Sequence, residues 1–388
     1  MRKTTSRARP SWRLGGALAA VATTAALLLT SAPAWAATWV TVPSPNRGSF
    51  DNVLFGVDAL SASRAWAVGY ADTGTAPTRQ PVVQRWNGTS WRLVTTPDLP
   101  GGGELRDVSA VSSTDAWAVG FAGTGNGDEP LVEHWDGLRW ERVKSPAVST
   151  LNYLLDVKVF SATAGWAVGT ANVPGTLAFQ TLIQRWDGAS WTVVPSPNPA
   201  PFENEFNGVD GSGPDDVWAV GFTRNGPDGV EQPLVAHFDG TGWQTVPTPP
   251  ARSAALQDVV ALAPNNVWAV GWEFSLQLFN QVPYALHWNG SQWRNVALPP
   301  LPGSRFYGVT ALSANRVYAV GESPAPGRAL PLVMRWNGTA WAAEQVPAPA
   351  TINRLYDADA AGTGTVWGVG VRGNTITQQT FTVRTTNG

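Results

Sequence analysis

The tetrapeptide Trp-Ala-Val-Gly starts at Trp66, Trp117, Trp166, Trp218 and Trp268, with variants at Tyr318 and Trp367. The steps between these positions are 51, 49, 52, 50, 50 and 49 residues. Self-similarity at a period near 50 makes each repeat one supersecondary unit and narrows the fold to a solenoid or a propeller. Residues that recur state what every unit needs in order to fold. Function must be sought in residues that break the pattern.

The second repeat, Leu105 to Pro146, reads as four strands. Leu105 to Ala110 alternates in polarity, Ser112 to Asp115 is a polar turn, and Ala116 to Phe121 is a second strand; Pro130 to Trp135 and Trp140 to Val143 follow. We name these strands A, B, C and D. The C–D turn is Asn-Gly or Asp-Gly at Asn87, Asp136, Asp187, Asp239, Asn289 and Asn337, the dipeptides that accept the positive φ of a tight hairpin. Sequons at Asn87, Asn289 and Asn337 are therefore read as turn chemistry.

Strand B carries Trp66 and its equivalents, strand C Trp86, Trp135, Trp186, Trp288 and Trp336, and strand D Trp91, Trp140, Trp191, Trp243, Trp293 and Trp341. Each indole is expected to act as a wedge between neighbouring repeats. The seventh repeat lacks a strand D, whereas Trp39-Val40-Thr41-Val42-Pro43 matches the strand D pattern. The expectation is an all-β, seven-bladed propeller of four-stranded antiparallel blades, its ring closed by an N-terminal strand completing the last blade. Closure would leave no unpaired edge between the first and last repeats.

Residues 1–36 are expected to be a signal peptide: a basic stretch from Arg2 to Arg13, an apolar run Leu14 to Leu29, and Ala34-Trp35-Ala36 as the small-x-small site. Residues 37–388 then form a single propeller domain, secreted and extracellular. The sequence contains no cysteine, so stability must come from apolar burial without disulfides. A net charge of -2 with 14% charged residues gives no electrostatic basis for binding nucleic acid. Membrane insertion is not expected after the leader, and the chain reads as a monomer.

The Trp-Ala-Val-Gly and Trp-Asn/Asp-Gly-x-x-Trp patterns, covering residues 38 to 384, resemble those of secreted bacterial repeat proteins grouped with kelch or galactose-oxidase-like propellers and with Asp-box propellers. The complementary ends resemble the closure of tryptophan-aspartate repeat propellers. Two departures are visible. A single glycine such as Gly69 or Gly120 stands where kelch repeats carry a pair, and Asn87 to Trp91 is one residue shorter than an Asp box. Galactose-oxidase chemistry, as that resemblance would imply it, needs a copper site with a cysteine-modified tyrosine, and this chain has no cysteine. His134, His237 and His287 share one repeat slot with Arg85, Arg185 and Arg335, which marks them as structural. No cofactor and no metal site is expected.

Binding is expected on the face that carries the dissimilar D–A and B–C loops. One candidate group is Trp272, Glu273, Phe274 and Phe279, an aromatic cluster suited to stacking on a sugar or anchoring a partner. A second group surrounds the start of the inner strands: Arg106, Tyr153, Glu205, Asn207, Arg305, Tyr307, Arg354 and Tyr356, which vary where their neighbours repeat. The reading of function is a secreted, non-catalytic propeller that binds a glycan or an extracellular protein through this face. The alternatives are a carbohydrate-active enzyme, a sialidase-like hydrolase or polysaccharide lyase with its site at the channel mouth, and a passive cell-envelope scaffold. No catalytic residue is assigned.

Overall fold

A computed structural model describes residues 37–76, 78–227, 229–362 and 364–386. The expected leader lies outside them. The described residues form strands and no helix, in antiparallel sheets of four whose order follows the chain from A to D. The first blade runs Asn52–Ser61, Arg64–Asp72, Arg79–Trp86 and Trp91–Val94. In the seventh, Ile352–Ala361, Thr365–Gly373 and Gln378–Thr385 are completed by Trp39–Val42, paired from Trp39↔Thr385 to Val42↔Thr382. A single parallel bridge, Phe179↔Glu203, joins the third and fourth blades into an eight-stranded sheet.

No sheet closes on itself; side chains instead link each inner strand to the next. Asp58 accepts the Ala110 N–H, Asp107 and Ser109 accept Val157 and Val159, and Asp156 accepts Val209. Asp210 accepts Ala261 and Asp258 accepts Val309, while the Thr310 hydroxyl donates to Asp359. Asp357 and Asp359 then accept Val57 and Ala59 of the first blade, each at 2.8 Å. Inner-strand N–H groups thus find acceptors across six of the junctions between blades, and a side-chain bond spans the seventh.

The same junctions are filled by aromatic wedges. Trp66 of the first blade lies 5.1 Å from Trp135 and 5.2 Å from Trp140 of the second. The arrangement repeats at Trp117 with Trp186 and Trp191, Trp166 with Phe238 and Trp243, Trp218 with Trp288 and Trp293, and Trp268 with Trp336 and Trp341. Trp367 meets Trp86 and Trp91 of the first blade, and Tyr318 meets Trp39. Burying an indole removes about 150–250 Å² from water, an upper bound of about 4–6 kcal/mol each at ~25 cal/mol/Å². His134 and Arg85 sit in the slot the sequence marked as structural: His134 stacks on Trp117 at 4.2 Å and bonds Asp115, and Arg85 lies over Trp66 and Trp135.

At the C–D turn, Asn87 Oδ1 accepts the N–H groups of Thr89 and Ser90, and Gly88 takes φ 96°. The sequon asparagine is thus committed to its own turn. The B–C connections differ from the sequence expectation. Strands B and C continue pairing past the repeat, through Glu273↔Val282, Phe274↔Gln281 and Ser275↔Asn280 in the fifth blade and to Ala325↔Arg328 in the sixth. Ladder hydrogen bonds continue there because they satisfy the backbone whatever the side chain is. Glu273 and Phe274 are therefore strand residues.

Candidate functional site

Every inner strand breaks register at the same place in its first half. The shifts fall between Leu54 and Gly56, Leu105 and Asp107, Leu154 and Asp156, Phe206 and Gly208, Leu256 and Asp258, Phe306 and Gly308, and Leu355 and Asp357. One residue per blade is thereby left over: Phe55, Arg106, Leu155, Asn207, Gln257, Tyr307 and Tyr356. A β-bulge re-aims its extra side chain, and all seven line one cavity of about 500 Å³ at the channel mouth. The last residue of Trp-Ala-Val-Gly has its reason here. A Cβ on Gly120 would collide with the carbonyl oxygen of Glu104, where strand A closes on strand B ahead of the bulge.

Aromatic rings form an arc round this mouth. Tyr307 and Tyr356 are 5.4 Å apart, as are Tyr356 and Phe55, and Phe121 meets Tyr153 edge-on at 4.8 Å. Arg106 joins the two runs, its guanidinium 4.4 Å from the Phe55 ring and 5.5 Å from that of Phe121, with Glu104 2.5 Å from its Nη2. The remaining sector, from the fourth and fifth blades, is polar: Glu205, Asn207 and Gln257. Asn207 Nδ2 donates to Leu256 O at 2.9 Å. Burial pushes the Glu205 carboxyl up to about 7, with Glu203 adding to the rise and Arg106 opposing it.

Beneath the bulge residues lie Asp107, Asp156, Asp258 and Asp357, shared between the mouth and a deeper cavity of about 270 Å³. The other blades have glycine at this position because the next aspartate occupies the space; a Cβ on Gly308 would lie 2.8 Å from Asp357 Cα. Burial raises all four carboxyls, Asp357 to about 8, and crowding by Asp156 adds to the rise in Asp107 and Asp258. One tier further down, Lys158 Nζ lies 2.8 Å from Asp210, near Asp58 and Asp359. Asp210 and these neighbours hold the ammonium's pKa above its ordinary value against desolvation. Among the described residues, no group of His, Cys, Asp or Glu is placed to hold a metal ion.

Of the residues named from sequence, Arg106, Tyr153, Glu205, Asn207, Tyr307 and Tyr356 line the mouth. Arg305 and Arg354 stand behind it on Glu322, with Arg305 Nε 3.1 Å and Arg354 Nε 2.5 Å from its carboxylate, which also accepts the Tyr307 hydroxyl at 2.8 Å. Sequence reading missed Glu322. Its signal was an acid in the slot held by Tyr70, Phe121 and Trp272 in other blades. Glu322→Gln should cost about 1–2 kcal/mol, since two half-exposed guanidiniums lose their counter-ion; an unshifted urea midpoint would refute this clamp.

The group at Trp272 does not assemble into one site. Trp272 lies in strand B opposite Ala255 and Pro283, Glu273 borders a separate side groove with Tyr284, and Phe279 is 80% exposed at φ 49°. Among the described residues no ring contact links Trp272, Phe274 and Phe279. Alternation along the strand turns Glu273 away from Trp272 and Phe274, and Phe279 lies beyond the strand.

No family model matches the chain, and no curated protein matches it. Its fold is similar to that of several solved structures. One is YCF48 bound to D1 peptide, at TM-score 0.54 and 15% identity, covering 92% of this chain and 100% of that one. Another is a protein of unknown function from Dyadobacter fermentans, at 0.53 and 11%, covering 90% and 98%. A third is an ulvan lyase from a new polysaccharide lyase family, bound to -[GlcA(1-4)Rha3S]-, at 0.52 and 10%, covering 84% and 93%. At these identities the likeness carries the fold alone: the chain is an all-β protein of propeller type.

Proposed function

We propose that this protein is an exported, non-catalytic binding propeller that takes a glycan at its channel mouth. The observation that supports this most is the ring of seven bulge residues, one from each blade, that face one cavity while the rest of each blade repeats. Aromatic faces stack on the C–H faces of sugar rings, and the Glu205, Asn207 and Gln257 sector offers partners for hydroxyl groups. Catalysis is not favoured by the same geometry. Arg106, Arg305 and Arg354 are each engaged with Glu104 or Glu322, so they do not converge on a substrate anion. Burial pushes the Tyr153 phenol up to about 12 and raises Tyr307, which makes both poor general bases.

An extracellular protein partner is the second reading. The exposed tip of the fifth blade, with Leu276 51% and Phe279 80% exposed, favours it, and the similar YCF48 structure holds a peptide. A glycan panel tests the first reading. Tyr356→Ala should weaken binding about tenfold or more, equivalent to about 1.4 kcal/mol, while Trp272→Ala leaves it within about twofold. Loss with Trp272→Ala and none with Tyr356→Ala would move the site to the fifth-blade edge.

A further inference from the structure

Resting on the glycan reading, we infer that the mouth selects an amino sugar, a pyranose carrying a free ammonium group. The rings of Phe55, Phe121, Tyr307 and Tyr356 line the cavity; Arg106 lies over the first two and Arg305 over Tyr307, which leaves Tyr356 as the ring to meet an incoming cation. Glu205 completes the enclosure. Among the described residues it has neither an ion pair nor a side-chain hydrogen bond, unlike Glu104 at the equivalent position of the second blade and Glu322 on strand B of the sixth. Among the described residues the one cation lining the mouth, Arg106, is spent on Glu104 and on the faces of Phe55 and Phe121.

The floor supplies no free cation either. Asp107, Asp156, Asp258 and Asp357 lie directly below, and the one cation of the deeper cavity, Lys158, is paired with Asp210. An acidic sugar would find no free counter-charge there among the described residues. A neutral sugar would leave Glu205 unpaired, whereas an ammonium pairs with it. An amino sugar is favoured over a lysine side chain because Asn207 and Gln257 stand in the same sector as Glu205, where ring hydroxyls beside an amine would reach them.

Titration calorimetry on the full chain, with a glucosamine tetramer, its N-acetylated counterpart and a lysine-containing tripeptide, tests the inference. The glucosamine tetramer should bind at least about tenfold more tightly than the acetylated one, a difference of about 1.4 kcal/mol. Glu205→Gln should abolish that preference while retaining the weaker acetylated binding, which also reports that the variant is folded. Binding of the amine should pass through a maximum near pH 7, since Glu205, flanked by Glu203, Glu231, Arg224 and Arg106, must be ionised to receive it while the amine must still hold its proton. Equal affinity of the two tetramers, or a preference that survives Glu205→Gln, overturns the inference and leaves the glycan reading standing. Tighter binding of the tripeptide overturns it in favour of a peptide ammonium. Failure of every glycan in the panel overturns the inference and the glycan reading together.

Discussion

Trp39→Ala should destabilise the protein by about 3–5 kcal/mol, the range of large aromatic truncations in a core. Trp39 is only 4% exposed although it lies close to the expected leader, because it is the outer strand's contribution to the last blade. Its ring meets Tyr318 edge-on at 6.1 Å, and its Nε1 donates to Glu344 Oε2 at 2.5 Å. Glu344 is itself buried, and burial raises its pKa while the bonds from Trp39 and from the Ala37 N–H pull it back. Truncation therefore opens a cavity and strips one donor from a buried carboxyl. Trp39→Phe separates the two, retaining most of the wedge and costing about 1–2 kcal/mol for the lost bond. Urea unfolding of both variants gives the measurement; an unchanged midpoint for Trp39→Ala would show that Trp39–Val42 contributes nothing to the last blade.

That strand was legible because a repeat protein states its core many times over. The Trp-x-x-Val-Pro pattern at Trp39 could be matched to its equivalents at Trp191 and Trp243, and the seventh repeat lacked a strand D of its own. The candidate site was legible only as variation. Arg106, Asn207, Tyr307 and Tyr356 stood out as unlike residues at one register position, yet nothing in the period showed that the position is a bulge. A bulge exists only in the pairing of two strands, here where Gly120 lets strand A approach strand B. Residues that act across blades were harder still. Glu322 on strand B of the sixth blade gathers Arg305 and Arg354 from two different inner strands, and no local pattern in the chain announces that meeting. The cluster at Trp272 failed because strands B and C go on pairing there, which turns Glu273 to the opposite face from Trp272 and leaves Phe279 at the exposed tip.

Glu133→Gln should stabilise the protein at alkaline pH and leave it nearly unchanged at acid pH. Glu133 lies in strand C of the second blade, fully buried, and neither of its carboxyl oxygens has a hydrogen-bond partner among the described residues. The equivalent positions in the first and third blades are Gln84 and Gln184, whose Nε2 groups donate to Pro45 O and Pro146 O at 2.8 and 2.9 Å. The slot is thus built for a neutral amide. Burial accordingly pushes the Glu133 carboxyl up to about 8, opposed only by Arg142. In the unfolded chain the same group ionises near its ordinary value of about 4.3. Below that pH both states hold the proton and the group makes no pH-dependent contribution. Between about 4.3 and 8 the unfolded state releases its proton while the folded state keeps it, so stability falls by up to about 1.4 kcal/mol per pH unit. Above about 8 the penalty is complete. The gain from Glu133→Gln should therefore grow from near zero at pH 4.5 to roughly 2–4 kcal/mol at pH 8.5. Comparing wild type and variant at each pH cancels the titration of the channel aspartates, which both chains share. A variant whose stability difference from wild type stays flat across that range would mean that Glu133 is ionised in the folded protein, with its charge met by a group that the fold does not place beside it.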